Sequence, residues 1–206
     1  MTRAVAGIVF DKDGTLFDYD ATWGPVTGRL IARECAGDPV QQAALAEALG
    51  FDLRTDRFLP GSLVIASTAD VVEAAILPFT RDRDLAALQR RMRAETGRAN
   101  QVHVADLKVL FGVLKQRSIA LGIATNDAID PCMANLEQAG VDHLFDFIAG
   151  FDSGFGGKPE PGQLHAFCAQ TQLDPGACLM VGDSLHDLRA GRAAGMGTVG
   201  VLTGPA

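Results

Sequence analysis

Five short apolar runs stand at intervals along this chain with helix-period stretches between them. They are "GIVFD" (7–11), "IALGIAT" (119–125), "FDFIAG" (145–150), "CLMVGD" (178–183) and "TVGVL" (198–202). Runs of this length, apolar at nearly every position, read as strands, and 119–125 as a buried one. Between them, "ADLKVLFGVLKQRS" (105–118) sets Leu107, Leu110, Phe111 and Leu114 at helical spacing. "DPCMANLEQAG" (130–140) is a helix ended by Gly140, a third helix lies around 160–172, and "SLHDLRAGRAAG" (184–195) is a fourth. Strands alternating with helices imply a doubly wound parallel α/β sheet, a Rossmann-like core.

The rhythm breaks between residues 18 and 104, where only helical patterns occur. "TWGPVTGRLIARECAG" carries Trp23, Val26 and Leu30 on one face; "VQQAALAEALG" is stopped by Gly50; "STADVVEAAIL" has Ser67 or Thr68 as its N-cap; "DLAALQRRMRAETG" is stopped by Gly97. A segment of this length cannot be an ordinary strand-to-strand crossover. It reads as an inserted all-helical domain, giving a core of residues 1–17 and 105–206 and an insertion of 18–104.

The net charge of −7 repels phosphate polymers and anionic lipid surfaces, so no nucleic-acid or membrane partner is expected. Arg90, Arg91 and Arg93 alternate with Leu85, Leu88 and Met92 and read as a solvated helix face. The four cysteines, Cys35, Cys132, Cys168 and Cys178, form no CxxC pair and read as buried thiols of a reducing, cytoplasmic setting. "AVAGIVF" lacks the flanks of a secretion signal, and no stretch approaches a membrane span.

Polar side chains gather at the ends of the strands, where an open α/β sheet binds ligands. Alternation along an extended chain aims Asp11 and Asp13 one way and Lys12 the other. Paired carboxylates need a cation or a shared proton, and Gly14 lets the backbone turn and a ligand approach. Thr125 and Asn126 follow the second strand, near a helix N-terminus that favours anions. Lys158 lies in a glycine-rich loop ahead of Pro159, and Asp183 ends a further strand with Asp187 one helical turn later. Carboxylates suit a hard divalent cation such as Mg²⁺, and a lysine, a hydroxyl and helix N-terminal amides suit phosphate oxygens. That set is a phosphoryl-transfer site.

"DKDGT", "ATN", "GKPEP" and "GDSLHD", in that order, resemble the four signature motifs of the haloacid dehalogenase-like hydrolase superfamily, and the chain is similar to its phosphoglycolate phosphatase-like branch. The resemblance extends to the insertion only in position and helical character. It implies a Mg²⁺-dependent phosphatase of a small phosphorylated metabolite, with the insertion as a cap. Asp11 would be the nucleophile, forming an aspartyl-phosphate, and a metal ligand. Asp13 would protonate the leaving oxygen, then deprotonate water, and lend its backbone carbonyl to the metal. Thr125, Asn126 and Lys158 would hold the phosphoryl oxygens; Asp183 would bind the metal directly, and Asp187 would orient it. Dehalogenases lack the second aspartate and P-type ATPases carry threonine there, so Asp13 argues against both. A β-phosphoglucomutase-like reaction and a non-catalytic phosphate sensor are the alternatives, and a monomer or homodimer fits either.

Other features have plainer readings. "GFGGKP" is not a Walker loop, because neither Ser nor Thr follows Lys158. His186 faces solvent, Phe17 and Trp23 pack the base of the insertion, and Asp18 and Asp20 have no catalytic role. Arg54, Arg57 and Ser62, in an irregular segment around Pro60 and Gly61, are candidates for substrate contact.

Overall fold

The structure, a computed structural model, describes residues 4–66, 69–96 and 99–205. The chain divides into two compact units, Met1–Asp18 with His103–Gly204, and Tyr19–Val102 with Pro205–Ala206. The first strand, β1 (Gly7–Phe10), is buried at all four positions.

The second unit is helical apart from one small hairpin. Its elements are α1 (Tyr19–Glu34), α2 (Pro39–Leu49), the strands β2 (Phe51–Asp52) and β3 (Arg57–Phe58), then α3 (Leu63–Ala66), α4 (Ala69–Ile76) and α5 (Leu85–Thr96). The hairpin departs from the all-helical expectation, and two-residue strands are too short to show a period of two. Asp20 fastens it to α1: one carboxylate oxygen accepts from the Phe58 amide at 3.0 Å and the other from Arg57 at 3.0 Å. Leu30, Ile31, Leu45, Leu49, Phe58, Ile76 and Leu88 form the core, with Trp23 packed against it. The expected N-cap at Ser67 or Thr68 and the stop at Gly97 lie outside the described residues.

Asp38 caps α2, accepting from the Val40 amide at 2.9 Å, while Pro39 supplies a helical first residue without a donor. Asp38→Ala is expected to lower the stability of this unit by about 1 kcal/mol, read as a shifted urea midpoint with an unchanged slope.

Two readings of this region are corrected. Arg91 does not face solvent: its guanidinium meets both oxygens of buried Glu34 at 2.8 Å and Asp82 at 2.8 Å. Charge spacing on the helix could not reveal partners supplied by other segments. Ser62 is buried, donating its hydroxyl to the Leu49 carbonyl at 2.6 Å, so its role is to close a turn.

The first unit resumes with α6 (Leu107–Gln116), β4 (Ala120–Ala124), α7 (Ile129–Ala139), β5 (Phe147–Ala149), α8 (Gly162–Thr171), β6 (Cys178–Gly182), α9 (Leu185–Ala193) and β7 (Gly197–Gly200). The five strands form a parallel sheet in the order β5-β4-β1-β6-β7. Alternation splits β1 between two cores. Ile8 and Phe10 join Leu107, Phe111, Leu121, Ile123 and Leu136 on the face covered by α6 and α7. Val9 joins Leu164, Phe167, Met180 and Ala190 on the face covered by α8 and α9. This is the doubly wound sheet read from the alternation. Phe17 belongs to the first of these cores, edge-on to His103, and not to the insertion. Among the described residues, no helix is long and apolar enough to cross a membrane.

Candidate active site

The register brings the strand ends together. Phe10 pairs with Ile123 of β4 and with Val181 of β6, so Asp11, Thr125 and Asp183 all emerge at one edge of the sheet. The Asp11 amide still donates to the Val181 carbonyl at 2.9 Å, which fixes the backbone that carries its carboxylate.

Asp11 Oδ1 accepts from Lys158 Nζ at 2.6 Å, and the same ammonium lies 2.6 Å from Asp187 Oδ1. Lys158 is held at its backbone by Asn126, whose Oδ1 accepts from the Lys158 amide at 2.8 Å and whose Nδ2 donates to the Lys158 carbonyl at 2.9 Å. The Asn126 carboxamide therefore positions the lysine. Thr125 is held through its carbonyl, which accepts from Gln163 Nε2 at 3.0 Å. Gln163 was not singled out from the sequence. The available signal was a glutamine on the inward face of α8, where it is fully buried.

Asp187 is buried inside a capping box: its Oδ2 accepts from the Ser184 amide at 2.9 Å and the Ser184 hydroxyl at 2.7 Å. Asp183 Oδ1 accepts from the Thr15 hydroxyl at 3.2 Å. Two glycines make room for the Asp183 carboxylate. A Cβ on Gly14, itself at φ +84°, would lie 2.6 Å from Oδ2, and a Cβ on Gly204 would collide with the same oxygen. Asp11, Asp183 and Asp187 each offer an oxygen within 4.8 Å of the others, enough for one metal ion.

Burial is the main cause that pushes the Asp11 carboxyl up to about 7; Lys158 opposes it, and Asp187 and Asp183 add to it. Asp183 is also raised, by burial and then by Asp187. Burial would lower Lys158, but Asp11 and Asp187 outweigh it and hold the ammonium above its ordinary value. Two carboxylates thus flank one ammonium with a third near them, and the excess negative charge suits a hard cation.

Asp13 lies outside this cluster. Its Oδ2 sits 2.6 Å from Lys12 Nζ, and Lys12 also reaches Asp127 at 3.3 Å and Asn135 at 3.0 Å. Alternation therefore holds for Asp11 but not for Asp13, because β1 ends at Phe10 and the chain turns: the Leu16 amide already donates to the Lys12 carbonyl at 2.9 Å. Lys12 points away from Asp11 as expected, yet into a fully buried polar pocket. His186 is exposed, and Arg57 is paired with Asp20.

A model of the haloacid dehalogenase-like hydrolases matches residues 5–195. The chain belongs to the haloacid dehalogenase-like hydrolase family. Its similarity to a phosphoglycolate phosphatase of Pasteurella multocida is 30% identity over 155 residues, covering 68% of this chain and 67% of that one. A phosphoglycolate phosphatase of Vibrio cholerae is 29% identical over 209 residues, covering 98% and 86%. Among solved structures, a predicted phosphoglycolate phosphatase from Haemophilus somnus superposes with a TM-score of 0.70 at 22% identity, covering 97% of this chain and 86% of that one; it shares the fold. This haloacid dehalogenase-like hydrolase is an enzyme of the phosphatase type.

Proposed function

We propose that this hydrolase cleaves phosphate monoesters of small metabolites in two steps through Asp11, with Mg²⁺ held by Asp11, Asp183 and Asp187 and by the Asp13 backbone carbonyl. The observation that carries the reading is the Asp11 carboxylate, fixed at a strand end 2.6 Å from Lys158 and beside two further carboxylates. Oxygen-only donors with surplus negative charge fit Mg²⁺, which when bound offsets the charge of the phosphoryl group.

In the first step a carboxylate oxygen of Asp11 bonds to phosphorus while the bond to the ester oxygen breaks. Asp13 gives that leaving oxygen its proton. In the second, Asp13 takes a proton from water, whose oxygen attacks phosphorus, releasing inorganic phosphate and restoring Asp11. Dividing the hydrolysis makes each step easier than the whole. Lys158 compensates charge on the transferred group. The Thr125 hydroxyl accepts from the Asp127 amide at 3.1 Å, so its own proton is available to a phosphoryl oxygen. The insertion occupies the sequence position of the family's cap, and phosphoglycolate is the substrate suggested by the relatives.

The test is a panel of phosphate esters that includes phosphoglycolate, an aryl phosphate and hexose phosphates. Mg²⁺-dependent release of phosphate that Asp11→Asn abolishes supports the reading. Isomerisation of a sugar phosphate without net phosphate release, or binding without turnover across the panel, overturns it. Gly204→Ala should displace Asp183 and weaken Mg²⁺ binding by about tenfold or more, measured by calorimetry on the unreacted enzyme.

A further inference from the structure

We propose that Lys12 is a positioning residue for the proton transfers of Asp13: it fixes the orientation of that carboxylate. This rests on the proposed function, in which Asp13 serves the leaving group.

A lysine is seldom wholly buried unless paired, and Lys12 is wholly buried. An apolar residue there would avoid the cost of desolvating an ammonium, so stability alone is a poor reason for the charge. Its partners come from separate parts of the site. Asp13 Oδ2 at 2.6 Å belongs to the turn after β1, Asp127 Oδ2 at 3.3 Å to the loop after β4, and Asn135 Oδ1 at 3.0 Å to α7. The ammonium also lies over the Phe17 ring, 5.9 Å from its centroid. Three oxygens and a ring thus fix the position of Nζ, and Nζ in turn holds the Asp13 carboxylate at 2.6 Å. The orientation in which Asp13 gives a proton to the leaving group and later takes one from water is set in this way. Lys12 touches none of the reacting atoms in this scheme.

The discriminating measurement is the dependence of kcat/KM on the leaving group, since kcat/KM ends at its departure and does not include the later attack of water. A nitrophenolate leaves without help, whereas an alkoxide needs a proton. In Lys12→Met, kcat/KM for an alkyl phosphate should fall by about 100-fold and that for p-nitrophenyl phosphate by only about threefold, so the plot against leaving-group pKa steepens. Asn135→Leu, which keeps the ammonium and removes one of its anchors, should steepen the plot in the same sense by less, and it serves if Lys12→Met does not fold. An equal loss on both substrates, or an unchanged slope in either folded variant, overturns the proposal. Asp13→Asn is the control: if it leaves the slope of the wild type unaltered, the role given to Asp13 fails, independently of Lys12.

Discussion

Asp11→Asn is expected to abolish turnover, by about 10⁴-fold or more, while making the metal-free protein more stable at neutral pH. The two effects share a cause. The side chain proposed to attack phosphorus is a buried carboxylate beside two others, with Lys158 in compensation. Its carboxyl is pushed from 3.8 up to about 7, chiefly by burial. Between those pH values the folded protein holds a proton that the unfolded chain has released, so stability falls as pH rises through that window. The full loss is about 2–4 kcal/mol and is present above pH 7. Asparagine removes this contribution, so the urea midpoint of the variant should exceed that of the wild type at pH 8 and approach it at pH 4. Mg²⁺ should reverse the order by stabilising the wild type. A variant that hydrolyses an aryl phosphate at the wild-type rate would sink Asp11 as nucleophile; equal midpoints at pH 8 would sink the electrostatic account.

Lys158→Met should be the most destabilising single change at the site. The ammonium lies 2.6 Å from both Asp11 and Asp187, all three groups being buried. Methionine fills much of the space and leaves two carboxylates facing one another, a loss of about 3–5 kcal/mol for a broken buried pair. The deficit should shrink as pH falls, because protonating Asp11 removes one of the opposed charges, and it should shrink with added Mg²⁺. Turnover should fall by about 10²–10³-fold even in saturating metal, since the charge on the phosphoryl group is then less well balanced. Stability equal to the wild type at pH 8 without metal would mean that Lys158 does not hold the carboxylates together.

The strands were legible because short apolar runs recur between helix-period stretches, and the groups at their ends stood out as polar residues after apolar ones. Arg91 was misread because a charge in sequence suggests solvent, and what buries it here, Glu34 with Asp82, depends on segments that only the fold brings together. Asn126 and Gln163 were obscure in another way. Their amides bond to backbone atoms, of Lys158 and Thr125, and a backbone partner leaves no mark in the sequence. The β2–β3 hairpin was invisible because two residues per strand cannot display alternation.

The central place of β1 in its sheet has a consequence for how the chain is made. Gly7 pairs with Ala120 on one side and Cys178 on the other, so the first strand to leave the ribosome must wait for partners from the far half of the chain. Residues 19–102, continuous in sequence and with a core of their own, can fold in the interval. Meanwhile the segment "GIVF" is an apolar strand with both edges open, the kind of segment that pairs with other chains when exposed. Release of a chain truncated before Cys178 would leave Asp11 on a strand paired along one edge only. Of the five strands, the one that leads to Asp11 is synthesised first and is paired along both edges only once β6 has followed.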